Sequence, residues 1–274
     1  MRAILEQQPD AHVLLGSRDP DRGQAAIDML VSENGACAPR VSLLPLDVAK
    51  DESVLAARDS VIGSGSPTLY GIVNNAGIGL GSDDMSGVVN VNTLGVKRVC
   101  DAFLPMLQDG GRIVNVASAS GPKFVSECDP ARQAFFTDAS IELATLQQLM
   151  EDTCALGDDT AGFHALGLDP HNAYGFSKAC VTLYTMLLAR ENPHLTINAC
   201  TPGYIETDLT RPTAESRGVA PADMGMKSPE HGTLAILYLL FGAPHGSGHY
   251  YGSDAKRSPL DRYRAPGSPE YLGD

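Results

Sequence analysis

Tyr174-Gly-Phe-Ser-Lys178 is the stretch that decides how this chain is read. It opens an apolar-periodic run, Ala173 to Arg190, whose spacing predicts a helix. Tyr174 and Lys178 are four residues apart, so they share one helix face, a turn apart. Alone, a Tyr–Lys pair at that spacing describes no more than a solvated helix face. Two flanking stretches change the reading. Upstream, Gly111-Arg-Ile-Val-Asn-Val-Ala-Ser118 is a buried-strand pattern ending in a hydroxyl. Downstream, Asn198-Ala-Cys-Thr-Pro202-Gly203 is a strand closing in a turn.

Outward from there, strands alternate with helices. Residues 2–8 read as the tail of a helix stopped at Pro9, and His12 to Ser17 as a short apolar strand. A turn over Arg18 to Arg22 leads to a helix over Gln24 to Ser32, with Pro20 near its start. Val41 to Asp47 is a strand, Ser53 to Ile62 a helix, Gly63 to Pro67 a loop and Leu69 to Asn74 a strand. Ser86 to Leu107 reads as one long amphipathic helix ended by Gly110-Gly111. Arg112 to Ser118 and Leu195 to Cys200 are strands. Ser228-Pro-Glu reads as a capped start of a helix through Leu240, and Gly248 to Gly252 as a short last strand. This rhythm predicts an α/β fold: one doubly wound parallel sheet, of the Rossmann type, in a single domain over residues 1–254. Residues 255–274 read as a loose polar tail. Residues 121–169 break the rhythm and are expected to hold two helices, Asp129 to Phe136 and Ile141 to Thr153. Segments of that length are lids or ordered insertions.

Composition narrows the function. The chain has 274 residues, 43% of them hydrophobic, which suffices for one full core. A net charge of −13 disfavours nucleic acid and anionic membrane as partners. No apolar run approaches the ~20 residues of a membrane span. The first residues lack a secretory apolar core. The six cysteines are scattered without a Cys-x-x-Cys pair and read as reduced thiols of a cytoplasmic protein. His245 and His249 alone have a His-x-x-x-His spacing, but they enclose Gly-Ser-Gly, so no metal site is expected.

The chain resembles the short-chain dehydrogenase/reductase family, and within it the monomeric carbonyl reductase branch. The likeness rests on Ser17-Arg-Asp-Pro-Asp-Arg-Gly-Gln-Ala-Ala, Leu46-Asp-Val, Val73-Asn-Asn-Ala-Gly-Ile, Val91-Asn-Thr-Leu-Gly95, the Gly111–Ser118 strand, Tyr174–Lys178 and Asn198-Ala-Cys-Thr-Pro-Gly-Tyr-Ile-Glu-Thr-Asp208. The resemblance implies NADP(H) as cofactor, a small carbonyl compound as substrate and a monomer as the working form. It implies Tyr174 as proton donor, Lys178 as the cation that lowers its pKa and binds the nicotinamide ribose, Ser118 as the group holding the substrate oxygen, and Asn92 as the anchor of a relay water. The residue chemistry agrees, because an unperturbed phenol near pKa 10 needs a neighbouring cation to work near neutrality. For the cofactor, Arg18 and Arg22 stand where an acidic residue would select the unphosphorylated ribose, and guanidinium forks suit a 2′-phosphate. Asp47 and Val48 match positions beside the adenine, and Asn74, Ala76 and Gly77 those beside the adenosine ribose. Pro202, Gly203 and Thr207 match the loop that holds the carboxamide, and Tyr204 is a substrate-pocket candidate.

One family element is missing. The family opens with a strand and a glycine-rich turn that places the pyrophosphate at a helix N-terminus. Here the first strand is already His12 to Ser17, and no such turn precedes it. The missing strand is normally central, between the strand of Val13–Leu15 and that of Ile72–Val73. Its loss is expected to leave unpaired ladders and to weaken the fold, since each buried orphan backbone group costs about 1–3 kcal/mol. A start codon assigned too far downstream, or a truncated gene product, is the explanation expected from the sequence. Two further functions stay open: a catalytically silent binding or regulatory protein on a damaged reductase fold, and an NADP-dependent alcohol or steroid dehydrogenase.

Overall fold

The structure, a computed structural model, describes residues 1–65 and 68–273. The loop expected over Gly63 to Pro67 runs onto residues 66 and 67, and the expected tail ends on residue 274; these three lie outside the described residues. The chain gathers into two compact units, Met1–Leu69 with Arg98–Met106, and Tyr70–Lys97 with Leu107–Asp274.

The first unit runs α1 (Arg2–Gln7), β1 (Val13–Ser17), α2 (Pro20–Glu33), β2 (Val41–Pro45) and α3 (Asp51–Gly63). β1 and β2 pair in parallel, Val13 opposite Val41. Alternation along β1 turns Val13 and Leu15 onto a core of Leu5, Ile27, Leu30, Cys37 and Val41, while Leu14 points outward. α2 begins four residues before the expected Gln24. Asp19 accepts from the Arg22 N–H and Pro20 presets the first helical residue, so the turn itself starts the helix.

The second unit is built on β3 (Leu69–Asn74), β4 (Leu107–Val116), β5 (Thr196–Cys200) and β6 (Tyr250–Tyr251), in the order β3-β4-β5-β6. β4 pairs with β5 in parallel, from Arg112 opposite Thr196 to Val116 opposite Cys200, and β5 with β6 likewise. Its helices are α4 (Met85–Val89), α6 (Ser120–Glu127), α7 (Pro130–Thr137), α8 (Leu143–Ala155), α9 (Thr160–Ala165), α10 (Ala173–Glu191), α11 (Arg211–Arg217) and α12 (Leu234–Phe241), while α5 (Gly95–Phe103) belongs to the first unit from Arg98 onward. The layering can be read from β4. Asn115 reaches Thr185 of α10, while Arg112 donates to the carbonyls of Leu239 and Gly242 at the end of α12. These positions differ by an odd number, so the two helices cover opposite faces. The fold class is the expected one, with parallel strands and helices on both faces.

Several local expectations are corrected. The helix expected as continuous from Ser86 to Leu107 is broken by a π-helical turn at Asn90–Leu94 and ends in a 3₁₀ turn at Leu104–Met106. Gly110 and Gly111 do not end it; they lie inside β4, with Gly110 at φ 72. The physical reason for the π turn is Asn92, whose side chain is bonded away from its own helix. Ser228-Pro-Glu is a turn and not a helix start: Ser228 hydrogen-bonds the His231 ring, a 3₁₀ turn follows, and α12 begins at Leu234. Residues 121–169 carry α7 and α8 as expected, and also α9 and most of α6. The segment after 255, expected to be loose, is tied down: Arg264 bonds the Asp254 carboxylate and the Ser268 and Pro269 carbonyls.

α6 lies directly on α10 through Gly121. A Cβ there would come within 3.0 Å of the Lys178 carbonyl carbon and oxygen. Gly121→Val is therefore expected to destabilise the protein by about 1–3 kcal/mol, as overpacking does. Chemical denaturation of the variant beside the parent measures this, and equal midpoints would contradict it.

Candidate active site

Three elements converge at the C-terminal end of the β3-β4-β5-β6 sheet. β4 ends at Val116, and the Ala117 N–H donates to the Cys200 carbonyl of β5 at 2.8 Å, so both strand ends leave together. Ser118 follows, its hydroxyl accepting from the Ser120 N–H at 3.2 Å. α10 is capped by Asn172, which accepts from the Gly175 N–H at 2.8 Å. That cap puts Tyr174 in the first turn and Lys178 one turn later. The Ser118 hydroxyl lies beside the Tyr174 phenol, near enough to bear on its proton. The Lys178 ammonium, 4% exposed, donates to the Val116 carbonyl at 2.8 Å and lies 5.6 Å from the centre of the Tyr174 ring.

Asn92 completes the group from the π turn. Its Oδ1 accepts from the Ile78 N–H at 2.9 Å, and its Nδ2 donates to the Ile78 carbonyl and to Ser177 Oγ, each at 3.0 Å. Ser177 donates in turn to the Tyr174 carbonyl at 2.8 Å, and Thr93 donates to the Ser177 carbonyl at 2.9 Å. The π turn thus locks the first turn of α10, and the extra residue of the π turn is what aims Asn92 there. Sequence reading saw Asn92 but not Ser177, the Val116 carbonyl or Cys200. The only signal for these was position: Ser177 within the Tyr–Lys stretch, Val116 and Cys200 at strand ends.

Electrostatics depart from one expectation. Lys178 was expected to lower the Tyr174 pKa. Burial instead pushes the phenol up, and the Ser118 hydrogen bond is what opposes it. Burial also pulls the Lys178 ammonium down to about 8, with the Cys200 thiol as a lesser influence upward. Both shifts have one cause, since a dry pocket penalises whichever form is charged. The Lys178 Nζ points at a carbonyl and across the ring face. The Tyr174 hydroxyl stays protonated through neutral pH, which suits a proton donor.

The other expected residues fall in two places. In the second unit, the Asn74 side chain donates to Asn115 Oδ1 at 2.8 Å and Asn115 donates to Thr185 at 2.9 Å, a buried polar chain across β3, β4 and α10. The polar Asn115 inside an apolar strand was its one sequence signal. Ala76 and Gly77 follow β3. A Cβ at Gly77 would lie 3.5 Å from Asn92 Oδ1 and 3.6 Å from Lys178 Nζ, so this glycine keeps open the space beside both polar atoms. Pro202, Gly203, Tyr204 and Thr207 lie on the segment leaving β5. Gly203 has φ 92, which favours glycine, and its N–H donates to Thr201 Oγ1 at 3.1 Å. Thr207 N–H donates to Thr210 Oγ1 at 3.0 Å, and the Tyr204 side chain is partly exposed. In the first unit, Arg18 and Arg22 are exposed after β1 and in the first turn of α2. Asp47 and Val48 follow β2, Asp47 accepting from the Ala49 N–H at 3.1 Å and the Val48 carbonyl from Arg98 at 3.3 Å.

A phenol beside a strand-end hydroxyl, with a buried ammonium one turn on, can protonate an oxygen held between the two hydroxyls. On an α/β frame of parallel strands this defines an oxidoreductase, and the chain belongs to the short-chain dehydrogenase family, whose family model matches residues 5–128. Among curated relatives, the chain is 30% identical over 266 residues to carbonyl reductase [NADPH] 1 of Mus musculus, covering 90% of this chain and 88% of that protein. It is 32% identical over 251 residues to carbonyl reductase [NADPH] 3 of Rattus norvegicus, covering 85% and 84%. Among solved structures, salutaridine reductase from Papaver somniferum superposes with a TM-score of 0.73 at 22% identity, over 91% of this chain and 93% of that one. NADPH-bound carbonyl reductase from chicken fatty liver gives 0.64 at 21%, over 94% and 91%. Among the described residues no helix is long and apolar enough to cross a membrane.

Proposed function

We propose that this protein reduces small aldehydes, ketones or quinones at the expense of NADPH. The observation that carries the reading is the Tyr174 phenol beside the Ser118 hydroxyl, with the buried Lys178 ammonium 5.6 Å from the centre of its ring. The open space kept by Gly77 beside Lys178 Nζ and Asn92 Oδ1 fits a ribose of the cofactor, whose polar hydroxyls suit both atoms. Tyr174 and Lys178 hold the nicotinamide ribose, Pro202, Gly203 and Thr207 the carboxamide, and Asn74, Ala76 and Gly77 the adenosine ribose. Arg18 and Arg22 take the 2′-phosphate, and Asp47 and Val48 flank the adenine. When bound, NADPH supplies the hydride.

The remaining chemistry is done by the chain's own side chains. Ser118 and Tyr174 hydrogen-bond the substrate oxygen; one such donor contributes about 2.7–4 kcal/mol to transition-state stabilisation. Tyr174 gives its proton to that oxygen as charge develops there. Lys178 places a positive charge beside the phenolate that results. Asn92 holds the first turn of α10 and positions a water for proton return. Tyr204 faces substrate. Residues 1–254 act as one reductase domain with 121–169 as its helical insertion, in a cytoplasmic monomer; the six free cysteines support a reducing compartment.

The test is steady-state reduction of a panel of carbonyl compounds with NADPH and with NADH. Turnover with NADPH at least tenfold faster than with NADH is expected, as a fork-bound phosphate provides. NADPH binding without turnover of any carbonyl would favour the silent binding protein. Turnover of alcohols alone would favour the dehydrogenase reading.

A further inference from the structure

Away from Ser118, Tyr174 and Lys178, the second unit holds a cavity of about 290 Å³ that none of them lines. It opens between the last turns of α10, the turn leading into β6 and the C-terminal segment. Two arginines line it, Arg190 and Arg257, together with His249. In a chain of net charge −13, two cations on one cavity run against the composition.

Neither cation is spent on a close carboxylate. Arg190 donates through Nη1 to the Ala139 carbonyl at 2.7 Å and the Ile141 carbonyl at 3.0 Å, and its Nη2 lies 3.8 Å from the Glu191 carboxylate. Arg257 donates through Nη2 to the Gly273 carbonyl at 2.7 Å; the nearby Glu270 carboxylate accepts from its backbone N–H at 3.1 Å. Each guanidinium therefore has its orientation set by carbonyls and keeps donors for another acceptor. Burial, and after it the charge of Arg257, lowers the His249 pKa, so Arg257 lies near enough for the ring to feel its charge. The rest of the wall is apolar, with Met186, Ala189 and Leu260 among it.

We infer that this cavity binds a small organic monocarboxylate, its carboxylate between Arg190 and Arg257 and its apolar body against Met186, Ala189 and Leu260. An inorganic phosphate would leave those apolar walls bare. A charge-free apolar molecule would leave the two guanidinium groups without an anion. A volume near the lower end of ligand pockets, about 300 Å³, suits a body of medium-chain size.

Octanoate and 1-octanol serve as probes on the full chain. Calorimetry is expected to show saturable one-to-one binding of octanoate, at least about tenfold tighter than octanol, as a charge-assisted pair provides. The His249 ring signals in an NMR titration should move with octanoate. Arg190→Gln and Arg257→Gln should each weaken octanoate at least about tenfold at an unchanged melting temperature. If Arg257→Gln fails to fold because the C-terminal segment is released, Ala189→Phe, which fills the cavity, should abolish binding instead. Equal affinity for octanol, octanoate binding unchanged in the variants, His249 signals that do not move, or no saturable binding would each overturn the assignment.

Discussion

Tyr174→Phe is expected to lose turnover while keeping the cofactor. The substitution removes one oxygen atom and leaves the ring that packs against Lys178 at 5.6 Å. The lost hydroxyl is the one beside Ser118. General-acid catalysis by a positioned group contributes about 10²–10⁴-fold, so kcat with NADPH should fall by that range. NADPH affinity should fall by no more than about tenfold, because one ribose hydrogen bond is a modest net contribution of about 0.5–1.5 kcal/mol. The check is fluorescence titration of NADPH alongside stopped-flow turnover. Undiminished turnover would remove Tyr174 from the acid role, and a collapse of both readouts would point to a structural role only.

Lys178→Met is expected to give an equally large loss of turnover, with an unusual stability result. The ammonium is pulled down to about 8 by burial, from an ordinary value of 10.5. Keeping it charged at neutral pH therefore costs the fold on the order of 3 kcal/mol, at about 1.4 kcal/mol per pH unit. Methionine removes that cost but leaves the Val116 carbonyl without its donor, which costs about 1–3 kcal/mol. The two effects nearly cancel, so the variant should unfold at close to the parent's denaturant midpoint. The sign with pH is definite. Between about 8 and 10.5 the unfolded chain binds this proton more tightly than the folded one, so the parent gains stability as pH rises through that window. The methionine variant should lack that gain. In the parent, carbonyl reduction needs both the Tyr174 proton and the Lys178 charge. The phenol keeps its proton, so kcat/KM should be level below pH 8 and decline above it as the ammonium is lost. A profile rising through pH 8 would contradict this.

The family and the placing of Tyr174 and Lys178 on one helix were legible in the sequence because they are written in short-range spacing. A four-residue interval puts Tyr174 and Lys178 on one face of α10 wherever that helix goes. Short apolar runs mark β3, β4 and β5, and Pro20 marks a helix nearby, whose start the spacing puts four residues late. The long segment before Tyr174 stood out as breaking the strand–helix rhythm, though α9 and most of α6 were missed. α6 is held by a backbone-to-backbone approach at Gly121 that no periodicity records.

The sequence by itself determined which groups are available: a hydroxyl, a phenol, an ammonium and an amide, in a set order along alternating strands and helices. Tertiary structure alone decided their state. The π turn at Asn90–Leu94, which breaks an apparently continuous helix, comes from Asn92 bonding the chain at Ile78 and Ser177, fourteen and eighty-five residues away. The rise of the Tyr174 pKa and the fall of the Lys178 pKa come from burial, which the surrounding elements create together. Local spacing sets a direction along the chain; dehydration and long-range hydrogen bonds exist only once distant segments have closed around the same few atoms.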